Sequence, residues 1–231
     1  MNKREAQRLK REQKQQAAEK NARRNKLIWR SFLFVGVPML LFISLYAILS
    51  QGPVYSPVEI SPEDHARGNP DGVKLVVYAD FQCPACATEH LLMAQAWPRI
   101  SAQTQMVFRH YPLSNVHPHA WTAASYAEAA GRQGKFWEMY DMLFVNQAYW
   151  STLSDVNAEF EGYLQDLDLD IAQAREDIGS AELLQKIRND QRGGTLAGVR
   201  GTPTVFLDGR LIPTPASSTE LIRLIQNASE G

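Results

Sequence analysis

Ala79-Asp80-Phe81-Gln82-Cys83-Pro84-Ala85-Cys86 decides how this chain is read. It holds the only two cysteines in 231 residues. An apolar run, Leu75-Val76-Val77-Tyr78-Ala79, leads into it, and a helix-like segment, Ala87 to Trp97, leads out. A Cys-x-x-Cys pair at the turn from strand to helix is a redox arrangement.

The thiolate is the reactive form of cysteine. A helix N-terminus presents unpaired N–H groups and a partial positive charge that favour an anion. Cys83 falls at that end, with Pro84 at the first helical position, where a missing N–H leaves no bond unmade. The Cys83 pKa is therefore expected below the free value of about 8.5. Cys86 lies one turn further on, toward the core. Cys83 reads as the attacking or attacked sulfur and Cys86 as the resolving one, with exchange passing through a mixed disulfide.

Other uses of the pair compete with this one. A structural disulfide across two residues closes a very short loop and gains little entropy. A metal site would draw on Cys83, Cys86 and His90, but the chain has no second Cys/His pair at zinc spacing. Haem attachment needs His directly after the second cysteine, where Ala87 stands. Asp80 carries two open readings: a buried proton carrier for Cys86, or a helix cap or solvated loop carboxylate. His90, His110, His117 and His119 read as structural or surface residues.

Outward from the cysteines, Val73 to Ala79 reads as a strand buried on both faces. Thr104 to Tyr111 reads as a second strand, so strand, helix and strand form a βαβ unit with parallel pairing. Pro98 marks the end of the intervening helix or a kink. A helical region follows, with helices expected from His117 to Gly131, from Lys135 to Gln147, after a cap at Ser154-Asp155, from Leu169 to Ile178 and from Ala181 to Ala197. Val205-Phe206-Leu207 and Arg210 to Pro213 read as two strands joined by an Asp208-Gly209 hairpin turn. Ser218 to Asn227 reads as a final helix.

The Ala79–Cys86 segment resembles the active site of the DsbA-like thiol:disulfide oxidoreductases of the thioredoxin superfamily. Further matches lie at Phe108-Arg109-His110-Tyr111-Pro112-Leu113, His117-Pro118-His119-Ala120, Gly134-Lys135-Phe136-Trp137 and Gly201-Thr202-Pro203-Thr204. The resemblance covers about residues 58–228. It implies an α/β thioredoxin fold with a helical insertion at about 115–198. It implies a cis Pro203 packed against the cysteine pair, and a Thr202 backbone that pairs with an extended substrate peptide, as in strand addition. Catalysis would rest on Cys83 and Cys86, supported by Pro84, Ala85 and Asp80. The redox-active disulfide Cys83–Cys86 would serve without any further cofactor or metal. In one respect the chain departs from the family. The strongest oxidants place His between Pro and Cys, where this chain has Ala85, so the direction of electron flow stays open.

The net charge of -1 hides an asymmetry. Residues 1–30 hold 11 Lys/Arg against 3 Asp/Glu, and the rest of the chain holds 13 against 22. The basic tail has no interleaved aromatics, which argues against nucleic-acid binding. It precedes Ser31 to Leu49, 19 residues without a charge. As a helix these span roughly 28 Å, close to the thickness of a bilayer core. Cleaved signal peptides have shorter apolar runs and a small-x-small cleavage site, so the run is read as an uncleaved anchor. The positive-inside rule puts the N-terminus in the cytoplasm.

The expected organisation is a basic cytoplasmic tail at 1–26, a transmembrane signal anchor at 27–50, an extended linker at 51–68 and a DsbA-like thioredoxin domain at 69–231. The domain would be periplasmic or otherwise extracytoplasmic, held by the cytoplasmic (inner) membrane. Its expected partners are reduced or disulfide-bonded secreted proteins and a quinone-linked membrane partner of the DsbB type. The leading expectation is a dithiol oxidase. The alternatives are a membrane-tethered reductase for apocytochrome or metal-site cysteines, and a non-enzymatic metal-binding module.

Overall fold

A computed structural model of the protein describes residues 23–49 and 54–230, together with Lys14, Lys20 and Asn21. The chain divides into two compact units between Gln51 and Gly52. In the first, Arg23–Tyr46 is a helix of 24 residues. It is interrupted only by a π-helical stretch at Phe32–Gly36. Among the described residues it is the one helix long and apolar enough to cross a membrane. Its large side chains, Phe34 and Phe42 among them, are exposed. Most of the expected basic tail lies outside the described residues.

The second unit is built on five strands: β1 (His65–Gly68), β2 (Val73–Ala79), β3 (Thr104–His110), β4 (Thr204–Leu207) and β5 (Arg210–Ile212). Their spatial order is β1-β3-β2-β4-β5. β2 and β3 pair in parallel from Val73 opposite Thr104 to Ala79 opposite His110. All other pairings are antiparallel. β2 is central and apolar on both faces, as its continuous hydrophobic run requires. Asp208 and Gly209 both have positive φ, 47° and 75°, which is the twist a two-residue hairpin turn demands.

Among the described residues, eight α-helices complete this unit: α1 (Pro84–Ile100), α2 (Ala120–Arg132), α3 (Phe136–Val145), α4 (Gln147–Trp150), α5 (Asn157–Asp166), α6 (Ile171–Ile178), α7 (Ala181–Leu196) and α8 (Ser218–Ser229). One face of the sheet, carrying Leu75, Val77, Met106 and Phe108, shares a core with α1, α3 and α8. The other face, with Val76, Tyr78, Val107 and Phe206, makes a smaller core. α7 closes on that face through Gly193 and Gly194. A Cβ on Gly194 would stand 2.9 Å from the Tyr78 ring.

Three sequence expectations change. Pro98 neither ends nor breaks α1, which runs on to Ile100. The helix after Ser154-Asp155 begins at Asn157 without a side-chain cap, and Asp155 instead accepts from the Asn157 backbone N–H. The linker assigned to 51–68 is largely part of the domain. His65–Gly68 forms the edge strand β1 on β3, too short and polar for periodicity to mark. Residues 55–64 are held by one buried side chain. Arg109 donates to both carboxylate oxygens of Asp64 (3.0 and 2.8 Å) and to the carbonyls of Tyr55, Ser56 and Glu59. It also donates to the Tyr78 hydroxyl at 3.0 Å. Arg109 and Asp64 side chains are 2% and 1% exposed.

Removing one partner of such a pair leaves the other charge buried and unpaired, at a cost of about 3–5 kcal/mol. Arg109→Met is therefore expected to lower the unfolding free energy by about that amount in denaturant titration. A loss below about 1 kcal/mol would contradict this account of how residues 55–64 are held.

Candidate active site

The cysteines sit where strand β2 hands over to α1. Cys83 is the N-cap of α1, with extended backbone (φ -75°, ψ 121°), and Pro84 opens the first turn. The Cys83 carbonyl accepts from the N–H groups of Cys86 (3.0 Å) and Ala87 (3.2 Å), while the Cys83 N–H donates to the Asp80 carbonyl. Both cysteines are free thiols. Cys83 keeps 8% of its surface and Cys86 none, whereas Pro84 and Ala85 are exposed.

The two thiols are held in opposite states. Hydrogen bonding from Cys86 brings Cys83 down to about 5, with burial opposing and the backbone N–H groups of Cys86 and Ala85 adding to it. Burial pushes Cys86 far upward, and its bond to Cys83 adds to the rise. The pair therefore offers one stabilised thiolate at the surface and one retained proton beneath it. Thr202 and Pro203, 119 and 120 residues from Cys83, lie against this sulfur. Their peptide bond is cis, and Cys83 Sγ donates to the Thr202 carbonyl at 3.4 Å. β4 pairs with β2 so that Tyr78 faces Thr204, and this register brings the two loops together.

Asp80 is buried and its carboxylate is fully engaged. Oδ1 accepts from the Gln82 N–H, and Oδ2 faces the Leu113 N–H and His117 Nδ1, all at 2.8 Å. It ties the cysteine loop to the segment after β3. Two glutamines give the loop further support. Buried Gln147 donates to the carbonyls of Phe81 (2.7 Å) and Cys83 (2.9 Å). Gln82 accepts from the His119 N–H at 2.7 Å. Gln147, far along the chain, had no motif to mark it. The histidines also have partners: His90 faces Asp141, His110 faces Glu128, and His119 faces the Leu153 carbonyl. Among the described residues no group of three or more His, Cys, Asp and Glu could hold a metal ion.

Residues 60–227 match the thioredoxin family. The Na(+)/H(+) antiporter NhaA 1 of Salinispora arenicola is 38% identical over 164 residues, which are 70% of this chain and 24% of that protein. The chain thus spans about a quarter of the length of the curated relatives it matches. Among solved structures, BdbD from Bacillus subtilis superposes with a TM-score of 0.66 at 16% identity, covering 77% of this chain and 98% of that one. Wolbachia pipientis alpha-DsbA1 gives 0.64 at 18% identity, covering 74% and 93%. These likenesses show a shared fold, a thioredoxin core with a helical insertion.

In the reduced protein, Cys83 alkylation is expected to follow thiolate formation. After correction for the reagent, its rate should stay level from pH 8 to 6 and fall by half near pH 5. Cys86 should stay unmodified while the protein is folded. A Cys83 midpoint above pH 8, read by mass spectrometry of iodoacetamide adducts, would remove the electrostatic basis of the site.

Proposed function

This chain belongs to the thioredoxin family, and on that premise we propose that it is a thiol:disulfide oxidoreductase that exchanges its Cys83–Cys86 disulfide with client proteins. One observation carries the reading. A thiolate held near pH 5 at a helix N-terminus stands directly above a buried thiol whose proton is tightly kept. A pair in that state favours its reduced form, so its disulfide is a good electron acceptor. We therefore assign it the direction of a dithiol oxidase.

In the forward cycle, a client thiolate attacks Cys83 Sγ. The Cys83–Cys86 bond breaks and Cys86 leaves. The second client thiolate then attacks the mixed disulfide, and Cys83 leaves as the stabilised thiolate. The client gains a disulfide and the pair gains two electrons. The open edge by Thr202-Pro203 would hold the client backbone beside Cys83 in extended form.

The apolar helix at Arg23–Tyr46 and the basic residues before it support an inner-membrane anchor with the domain outside the cytoplasm. In that setting the clients are secreted proteins, and reoxidation falls to a quinone-linked membrane partner of the DsbB type. The relatives named as antiporters lend support to a membrane setting. Ala85 favours a second reading. With no cationic side chain between Pro84 and Cys86, the thiolate relies on hydrogen bonds alone, and the same site would serve a reductase if its potential is low.

The full-length protein in detergent micelles is expected to oxidise a reduced, unfolded client. Cys83→Ala should abolish this, and Cys86→Ala, offered a disulfide-bonded client instead, should trap the mixed disulfide. Oxidation that survives Cys83→Ala would sink the assignment. A reduction potential near roughly -120 mV supports the oxidase direction, and one near roughly -270 mV the reductase direction.

A further inference from the structure

The helical insertion reaches the cysteine loop through one buried amide. Gln147 opens α4 and is 6% exposed. Its Nε2 donates to the Phe81 carbonyl at 2.7 Å and to the Cys83 carbonyl at 2.9 Å, so both amide hydrogens are used, one on either side of Gln82. Among the described residues it is the one side chain bonded to the Cys83 main chain. A single helical turn such as α4 does not hold its place alone, and it is fastened at both ends. Asn146, its N-cap, donates from Nδ2 to the Met142 carbonyl at 2.9 Å. The fully buried Trp150 donates from Nε1 to the Leu143 carbonyl at 2.7 Å and packs edge-on to Phe160 of α5.

The same part of the insertion grips the loop by an aromatic ring. The Phe81 ring centroid lies 4.9 Å from that of Phe144 and 6.0 Å from that of Tyr140, both on α3. The insertion therefore holds Phe81 by its ring and its carbonyl, and Cys83 by its carbonyl. The Cys83 N–H donates to the Asp80 carbonyl, and the Cys83 carbonyl also takes N–H groups of the first turn of α1. These bonds fix the Cys83 backbone at ψ 121°. Rotation about that bond carries Sγ toward or away from the N–H groups of Ala85 and Cys86, which favour its thiolate. The ionisable groups around the pair are otherwise engaged. Cys86 keeps its proton through burial, and the Asp80 carboxylate is bound by Gln82, Leu113 and His117. Glu89, on the buried stripe of α1, has Arg67 of β1 and Tyr140 of α3 as its neighbours.

We propose that Gln147 is the positioning residue through which the helical insertion holds Cys83 Sγ over the first turn of α1, and so sets how strongly the pair favours its reduced form. The role rests on the exchange reaction proposed above. Gln147 acts through the Cys83 backbone and not on the client. With the two bonds in place, the thiolate released at the end of each exchange returns to the same N–H groups. Without them Cys83 turns about ψ, Sγ leaves those groups and the reduced form loses its advantage.

The test compares the wild type with Gln147→Met, a side chain of similar length without donors, in the full-length protein in micelles. Two quantities are read: the Cys83 midpoint from iodoacetamide adducts, and the equilibrium with glutathione buffers. Gln147→Met is expected to raise the midpoint by about one pH unit, a roughly tenfold loss and about what one hydrogen bond contributes. The equilibrium constant for oxidising glutathione should fall about tenfold, which makes the reduction potential about 30 mV more negative. A change in one quantity without the other, or in neither, overturns the role. A merely structural clamp would lower the stability of the oxidised and reduced forms alike and leave both quantities in place. Should Gln147→Met fail to fold, nitrogen-15 NMR of the Gln147 side-chain amide in the reduced wild type decides. A resonance that moves as Cys83 ionises near pH 5 supports the role, and one that stays fixed overturns it. A wild-type protein that does not oxidise its client overturns the exchange reading itself, whereas normal wild-type exchange with an unmoved potential in Gln147→Met overturns Gln147 alone.

Discussion

The site depends on the register between β2 and β4. These strands are more than a hundred residues apart in the chain, and their antiparallel pairing from Leu75–Leu207 to Tyr78–Thr204 sets where each ends. Strand β2 ends at the cysteine loop and β4 begins just after Thr202-Pro203. Because side chains alternate with period two, a slip of one residue would turn the buried and exposed faces of β4 over. It would also carry the Thr202 carbonyl away from Cys83 Sγ. Val76 and Val77, fully buried in separate cores on opposite faces of the sheet, hold that register. The chemistry therefore stands on the rigid centre of the fold rather than on a mobile loop.

Around that centre, charge is managed by burial. Exposed groups of α1 meet water, but its inner stripe carries Cys86, Glu89 and His90, which have polar atoms in an apolar core. Elsewhere in the domain, Arg109, Asp64, Lys186, Asp190, His110 and Glu128 form buried polar contacts. Lys186 lies 2.6 Å from Asp190, and Glu128 meets both His65 and His110. Buried charges persist only where partners satisfy them. The Arg109 cluster is satisfied in full and fastens the segment before β1. The stripe beneath the cysteines is satisfied in part, since His90 Nδ1 has no hydrogen-bond partner.

Much of the fold was legible in the chain. β2, β3 and the β4–β5 hairpin follow from apolar runs and from Asp208-Gly209. The helices of the insertion follow from a 3.6-residue period. Elements without such a signal were missed. β1 has four residues, two of them charged or titratable, and exists because β3 offers an open edge. Pro98 reads as a stop, yet near the end of α1 the lost hydrogen bond is tolerated by a helix held along one face by core packing. Asp80 is close to Cys83 in sequence, and the fold directs its carboxylate to Leu113 and His117. Glu89 carries a signal of its own, a charged residue on the buried stripe of an amphipathic helix.

By itself the sequence determined the cysteine pair and its place at a strand-to-helix turn, the order of strands and helices, and the apolar N-terminal helix. These are local properties, set by hydrophobic period, turn chemistry and the geometry of a helix end. Only the tertiary structure decided which groups surround the sulfurs. It brought the Thr202 carbonyl to Cys83, gave Asp80 to the loop after β3, and placed Glu89 under Arg67 and Tyr140. The reason is that the ionisation of a sulfur or a carboxyl depends on burial and on neighbours within a few ångströms, and those neighbours come from strands and helices that sequence distance does not relate.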